Sequence, residues 1–375
     1  MQTVQLDSHS QRNLRRGKKN LNKEHGQILS HWYQSSGRDL PWRLLWTKHQ
    51  NPYHVWLSEI MLQQTVIKAV IPAYDRFLKT FPSILELAKA QEEQVRLACR
   101  GLGYYRRFSF LHKAAKLLVN EYQDPKAKGG IRWPTTYADW MALPGIGEYT
   151  AAAISSICFD QPKAVVDGNV ERVLCRLLNL KIPPNLPVLK KEFKVITNQM
   201  VPQESPGDFN QGIMELGQTV CTVKSPSCQE CPIKPACLSC KTKTQHLAPA
   251  PKIKKEFTNI NVRLAIPVAK GKIGLIQRSK TAKFLKETWG FPTYIGAEKG
   301  QFKLDQSQSK VDWKSGTSVG KIKHTITHHK IEAEIFETKA RYPSIKWFNH
   351  ADLEEKLLAS LDQKAWKQFT KNKNS

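Results

Sequence analysis

No apolar run in the 375-residue chain approaches the ~18 residues needed to cross a bilayer, so nothing in it reads as a membrane-spanning helix. Acidic residues are scarce. Against 58 Lys and Arg stand 32 Asp and Glu, a formal charge of +26 spread along the whole length. A polyanionic partner is the leading expectation, and nucleic acid the commonest one; a basic proteome or a solvated face is the alternative. The opening "MQTVQLDSHSQRNLRRGKKN" is basic but has no apolar core, so it does not read as a secretory signal. It is expected to be a disordered tail over residues 1–24 that touches phosphates, or a weak organelle-targeting segment. The eight cysteines form only one dense group, which argues against a disulfide framework. Cys99, Cys158 and Cys175 lie singly in helical stretches and are expected to be ordinary buried thiols.

Residues 25–243 carry helical patterns broken by short glycine or proline turns, with little strand signal. The Pro/Ala/Lys-rich stretch within 244–257 reads as an exposed linker. Beyond it, "NVRLAIPVA", "KIGLIQR", "KIKHTITHH" and "IEAEIFETK" are short, alternating and β-branched. An amphipathic helix follows, and 370–375 is expected to be a tail. The fold class is therefore multidomain: a mainly α domain over 25–243, a linker, and an α+β domain over 258–369.

Two local patterns carry chemistry. In "CTVKSPSCQECPIKPAC", Cys221, Cys228, Cys231 and Cys237 are separated by six, two and five residues. Four thiolates in one tight loop need a cation to offset their charge. One C-x-x-C with unequal flanks favours a 4Fe-4S cubane over zinc, which usually takes two paired knuckles. Cys240 lies just outside the pattern as a spare thiol. The second pattern is "LPGIGEYTAAAI", two helices joined by a glycine turn. Gly145 and Gly147 let backbone approach a partner closely, and the helix after them offers unpaired N–H groups. That is an anion site suited to a DNA phosphate, or else a plain helical corner.

"LPGIGEYTAAAI", "VVDGNVERVLCR" and the cysteine loop together resemble the endonuclease III superfamily of DNA glycosylases. "RDLPWR", "PYHVWLSEIMLQQT" and "GLGYYRR" are specifically similar to MutY-type adenine DNA glycosylases, and the C-terminal region resembles their MutT-like (Nudix-like) domain. The resemblance runs from about Glu24 to Phe369, with one departure, the longer "LLWTKHQ" after "RDLPWR".

The resemblance implies a two-lobed helix-hairpin-helix fold, one 4Fe-4S cluster, and removal of adenine mispaired with 8-oxoguanine or guanine in duplex DNA, by hydrolysis of the N-glycosidic bond. Glu59 would be the acid for adenine N7. Its sequence alone also allows a helix-surface glutamate; a desolvated site would raise its pKa. Asp167 would stabilise the sugar cation, with a helix cap as its compatible bland role. Asn169 would orient the site. Tyr149 stands where strand-cleaving relatives carry a lysine, and a phenol forms no imine, so strand cleavage is not expected. Arg38, Trp42, Leu62, Ile67 and Gln211 match the adenine pocket, and Gln64 and Tyr104 match residues that wedge beside the oxidised base. Ile326, Thr327 and His328 match a loop that contacts 8-oxoguanine, where the bacterial pattern often has Phe-Ser-His. No Glu-rich hydrolysis motif marks the second domain, so it is expected to bind and not hydrolyse nucleotides. The chain is expected to act as a monomer, with no membrane partner, in the bacterial cytoplasm or, in a eukaryote, in an organelle or the nucleus. Two other readings compete: a non-catalytic iron–sulfur DNA-binding module, and a glycosylase acting on thymine opposite guanine.

Overall fold

The computed structural model describes residues 6–184, 186–252, 256–279, 287–295, 316–326, 329–339 and 344–373. The chain divides into two compact units. The first comprises Met1–Ala90 with Arg107–Ile253, and the second Gln91–Arg106 with Lys254–Ser375.

The first unit is helical. Its opening helices are α1 (Ser8–Asn20), α2 (Lys23–Ser36), α3 (Pro41–His49), α4 (Pro52–Leu62), α5 (Ile67–Thr80) and α6 (Ile84–Lys89). After α7 (Glu92–Ala98), which belongs to the second unit, come α8 (Arg106–Tyr122), α9 (Tyr137–Ala142), α10 (Glu148–Phe159) and α11 (Gly168–Leu177). The series ends with α12 (Pro187–Met200), α13 (Pro206–Thr219) and the one-turn α14 (Leu238–Lys241). Boundaries follow local chemistry. Proline opens α3, α4, α12 and α13, where the missing N–H costs nothing. Helix α4 is buried at every position from Pro52 to Met61, so it forms the centre of the unit and not a face.

Residues 8–20 read in sequence as part of a disordered tail, yet they form α1. Asp7 caps it, accepting a hydrogen bond from Ser10 N at 2.6 Å, and Leu14 and Gly17 turn inward. Leu14 joins a core with Leu29, Leu174, Leu178, Phe193 and Ile196. Residues 244–252, which read as an exposed linker, are also tied down. The Arg176 guanidinium donates to the carbonyls of Gln245 and Ala248, and Ala250 N donates to Ile182 O.

In the second unit, the strands β1 (Thr258–Ala269), β2 (Lys272–Gln277), β3 (Trp289–Gly290), β4 (Thr293–Ile295), β5 (Thr317–Ile326), β6 (His329–Thr338) and β7 (Lys346–Phe348) form one mixed sheet. Its central order is β3-β2-β1-β6-β5, with β4 beside β1 and β7 beside β2. β1 runs parallel to β6, and β5 antiparallel to it with Ile326 opposite His329. Helices α15 (His350–Lys356) and α16 (Ser360–Lys373) follow. Leu353, Leu357, Ala365 and Phe369 pack on Leu264, Ile266, Leu275 and Ile335. The expected tail at 370–375 is helical through Lys373, whose ammonium pairs with Glu337 at 3.1 Å. Gln91–Arg106 is part of this unit: Lys356 pairs with Glu93 at 3.0 Å, and Tyr105 Oη donates to Leu358 O at 3.1 Å.

Candidate active site

Glu59 sits on the buried helix α4 and is only 6% exposed. Burial is the main influence on its carboxyl and pushes its pKa up to about 7. A hydrogen bond from the Tyr149 hydroxyl opposes that, the Asp167 charge adds to it, and Arg43 opposes it again. One oxygen, Oε2, is buried with no hydrogen-bond partner. An acid raised in this way favours folding below its ordinary pKa and loses that contribution as pH rises through about 7. The helix-surface alternative for Glu59 is thereby excluded.

Asp167 caps α11. Its Oδ1 accepts from Asn169 N at 2.9 Å and Val170 N at 2.8 Å, and its Oδ2 accepts from Asn169 Nδ2 at 2.8 Å. Asn169 is fixed in turn by Arg172, whose Nη2 donates to its Oδ1 at 3.0 Å. Tyr149 lies on the first turn of α10, and its hydroxyl also stands 3.0 Å from Met214 Sδ. Glu59, Tyr149, Asp167 and Asn169 line one cavity of about 970 Å³. All five expected adenine-pocket residues, Arg38, Trp42, Leu62, Ile67 and Gln211, line it too. So do Trp46, Thr47 and Gln50. The longer "LLWTKHQ" therefore extends α3 and supplies a stretch of wall.

The turn between α9 and α10 has the two glycines in different roles. Gly145 takes φ +77°, and a Cβ there would come 2.5 Å from Phe110 Cβ, so no other residue fits. Gly147 precedes α10 with nothing within 4 Å of a Cβ, and no side chain caps the helix. The N-terminus of α10 is left open to an anion.

The cysteines also converge. Cys221, Cys228, Cys231 and Cys237 line one small pocket with Arg176, and Cys240, expected outside, lines it with them. Burial is the main cause that pushes the thiols up, to about 12 at Cys231 and about 11 at Cys237, and the neighbouring thiols add to it. Cys240 hydrogen-bonds the Cys228 thiol. Arg176 Nη1 donates to Cys221 Sγ at 3.2 Å and to the Cys221 and Thr222 carbonyls. Among the described residues no group of three or more His, Cys, Asp or Glu side chains converges as for a single metal ion.

The model of the HhH-GPD superfamily base excision DNA repair proteins matches residues 57–198, which include Glu59, the glycine turn and Asp167. The mouse adenine DNA glycosylase is 43% identical over 213 residues, 56% of this chain and 40% of the relative. The adenine DNA glycosylase of Buchnera aphidicola subsp. Baizongia pistaciae is 31% identical over 313 residues, covering 80% of this chain and 82% of the relative. The chain belongs to the adenine DNA glycosylase family. It spans 40% of the length of the mouse relative. A solved thermostable thymine-DNA glycosylase is 25% identical, with a TM-score of 0.50, over 61% of this chain and 98% of its own. Among the described residues no helix is long and apolar enough to cross a membrane.

Membership in the adenine DNA glycosylase family gives weight to residues beyond the sequence motifs. Glu215 is fully buried behind the cavity wall. Arg38 Nε and Arg43 Nη2 pair with its two oxygens at 2.5 and 2.9 Å. Burial opposes ionisation there, but these hydrogen bonds and charges win and hold its pKa below the usual value. An acid inside an apolar helix, "GIMELG", was the available signal, the same one that marked Glu59. Arg107 donates to the carbonyls of Ile60, Met61 and Gln63 and to Thr65 Oγ1, closing the end of α4. The next residue, Gln64, is exposed with φ +57°. Tyr104 is 51% exposed with φ +48° and belongs to the second unit. Ile326 ends β5, while Thr327 and His328 lie outside the described residues.

Proposed function

We propose that the chain is a monofunctional DNA glycosylase that removes adenine mispaired with 8-oxoguanine or guanine. The observation that carries the reading is the buried Glu59 carboxyl, pushed up to about 7 by its enclosure, in one cavity with Tyr149 and Asp167. Breaking the C1′–N9 bond leaves negative charge on the purine and positive charge on the sugar. Protonated Glu59 gives its proton to adenine N7, so the base departs neutral. Asp167 meets the sugar cation with its carboxylate, oriented by Asn169. Glu59, now ionised, takes a proton from the water that attacks C1′, which restores the starting acid. Tyr149 positions Glu59 by its hydroxyl. It has no amine with which to form an imine, so the backbone stays intact. Arg38, Trp42, Leu62, Ile67 and Gln211 hold the flipped base, and the cost of flipping, a few kcal/mol, is lowest at a mismatch.

Gln64, Tyr104 and the loop at Ile326, Thr327 and His328 read the opposite base, with the α+β unit over 258–369 as the reading domain. Gly145 and Gly147 grip a phosphate at the start of α10. The donor set around Arg176 fits a 4Fe-4S cluster, because thiols pushed up by burial and by one another are relieved by a cationic group. Thiolates on a cube bind different corners and need not converge on one point. Cys221, Cys228, Cys231 and Cys237 would hold it, and bound there it would supply charge compensation and a fixed loop.

The test is single-turnover excision on duplexes with A opposite 8-oxoguanine, A opposite G and T opposite G, run with and without alkali. Product that needs alkali to yield a nick, on the first two duplexes, is the expected result. Excision of thymine only, or a borohydride-trapped adduct, overturns it.

A further inference from the structure

Helix α1 is docked, and its outward face has no use in the docking. The inward side is set by Leu14 and Gly17, and a Cβ at Gly17 would run into Leu178 Cδ2. Lys18 pairs with Glu192 of α12 at 2.6 Å. On the opposite side Arg12, Arg15, Arg16 and Lys19 are exposed, and among the described residues no carboxylate pairs with them. Their spacing of three, one and three residues puts them on one stripe about 10 Å long. Like charges at that spacing oppose helix formation.

Helix α12 ties α1 to the helix after the glycine turn. Helix α12 adds exposed Lys190 and Lys191, and its Lys194 pairs with Glu148, the first residue of α10, at 3.2 Å. Glu192 and Glu148 are each taken by a lysine, and the buried Glu171 faces Lys190 and Lys252, which leaves Lys191 and the α1 stripe as the uncommitted cations of α1 and α12 among the described residues. The outer face of α1 carries no aromatic or aliphatic anchor of the kind that centres a protein–protein interface. A regular polyanion is the occupant its chemistry suits.

We propose that α1, continued by α12, is a second contact for the DNA backbone, lying on the duplex that flanks the phosphate gripped at Gly145–Gly147. The inference rests on the reading of the chain as a duplex-DNA enzyme. It adds an anchor that binds without reading sequence, so it lengthens the footprint on one side of the excised base.

The experiment compares the full chain with Arg12→Gln/Arg15→Gln/Arg16→Gln/Lys19→Gln. Glutamine keeps the helix former and removes the charge. Dissociation constants are measured against salt on two duplexes. One ends close to the mispair, and the other extends both flanks by about one helical turn, ~10 bp. On the long duplex the log–log salt slope should fall by about 2–4, at ~0.9 for each phosphate no longer neutralised. The short duplex should change little, and the excision rate with enzyme in excess should stay the same. An unchanged slope on the long duplex overturns the proposal and leaves the stripe to an acidic protein. Equal weakening on both duplexes overturns the flanking position. If the fourfold variant fails to fold, Arg12→Gln/Arg16→Gln should give about half the slope change. A chain that excises nothing but shows the slope change refutes the glycosylase reading and keeps the DNA contact; a chain that excises and shows none does the reverse.

Discussion

Two buried carboxylates, Asp362 of the α+β unit and Glu59 of the helical unit, are held in opposite ways. In the α+β unit, Asp362 is fully buried and satisfied on both oxygens, by Arg278 Nη2 at 2.7 Å and Phe291 N at 3.1 Å. In the helical unit, Glu59 is also buried, yet Oε2 has no partner and the acid is pushed to about 7. A satisfied carboxylate holds a fold together. An unsatisfied one costs stability and keeps a proton available at neutral pH. The difference separates a carboxyl placed for chemistry from one placed for shape, and within the helical unit Glu215, paired with Arg38 and Arg43, is of the second kind.

The sharpest way to break that comparison is Glu59→Gln, which keeps the volume and removes the acid. Single-turnover excision should fall about 10²–10⁴-fold while DNA binding and the melting temperature stay near their starting values. A smaller loss would mean that burial of Glu59 is only structural. Asp362→Ala tests the other side. It removes the carboxylate partner of Arg278, whose side chain is 12% exposed, and should destabilise the α+β unit by about 3 kcal/mol. Calorimetry should show the transition of that unit moving down, with the excision step itself unaffected below it.

The pH dependence sharpens the comparison further. Excision needs Glu59 protonated, so its rate should fall tenfold per unit above an apparent pKa of about 7. Glu59→Gln should have no such limb. The smallest effect is expected at the opposite-base loop. Thr327→Ala removes at most one hydrogen bond, so the preference for A opposite 8-oxoguanine over A opposite G should shrink about two- to tenfold, with the rate on A opposite G unchanged.

Local motifs were legible where short segments decide the geometry. The glycine turn, the proline-led helices and the Asp167 cap all follow from neighbouring residues. The α+β character after residue 258 followed from alternation alone. Misread elements depended on distant partners. Helix α1 looks like a solvated tail because Leu14 is its one apolar residue, docked beside Ser10, Asn13 and Gly17, and the seat on Leu178 and Ile196 is made much later in the chain. Cys240 looks spare until the turn of α14 brings it back to the other thiols. Glu215 was passed over because nothing near it in sequence shows that Arg38 and Arg43 converge on it. For Glu59, sequence left a solvated and a buried reading open, and only the enclosure of α4 decides between them.

The assignment of Gln91–Arg106 to the α+β unit has a consequence for how the molecule is made. The chain leaves the helical unit after Ala90, returns at Arg107 and leaves again after Ile253. During synthesis this segment emerges on the order of ten seconds before Lys356 and Leu358, the residues it pairs with, at typical elongation rates. Throughout that interval Glu93 and Tyr105 wait without Lys356 and Leu358, their partners in the finished unit. The α+β unit is therefore not an appendage that a truncation removes cleanly. A chain stopped near residue 243 keeps a fragment of the missing unit and leaves Glu93 and Tyr105 without Lys356 and Leu358.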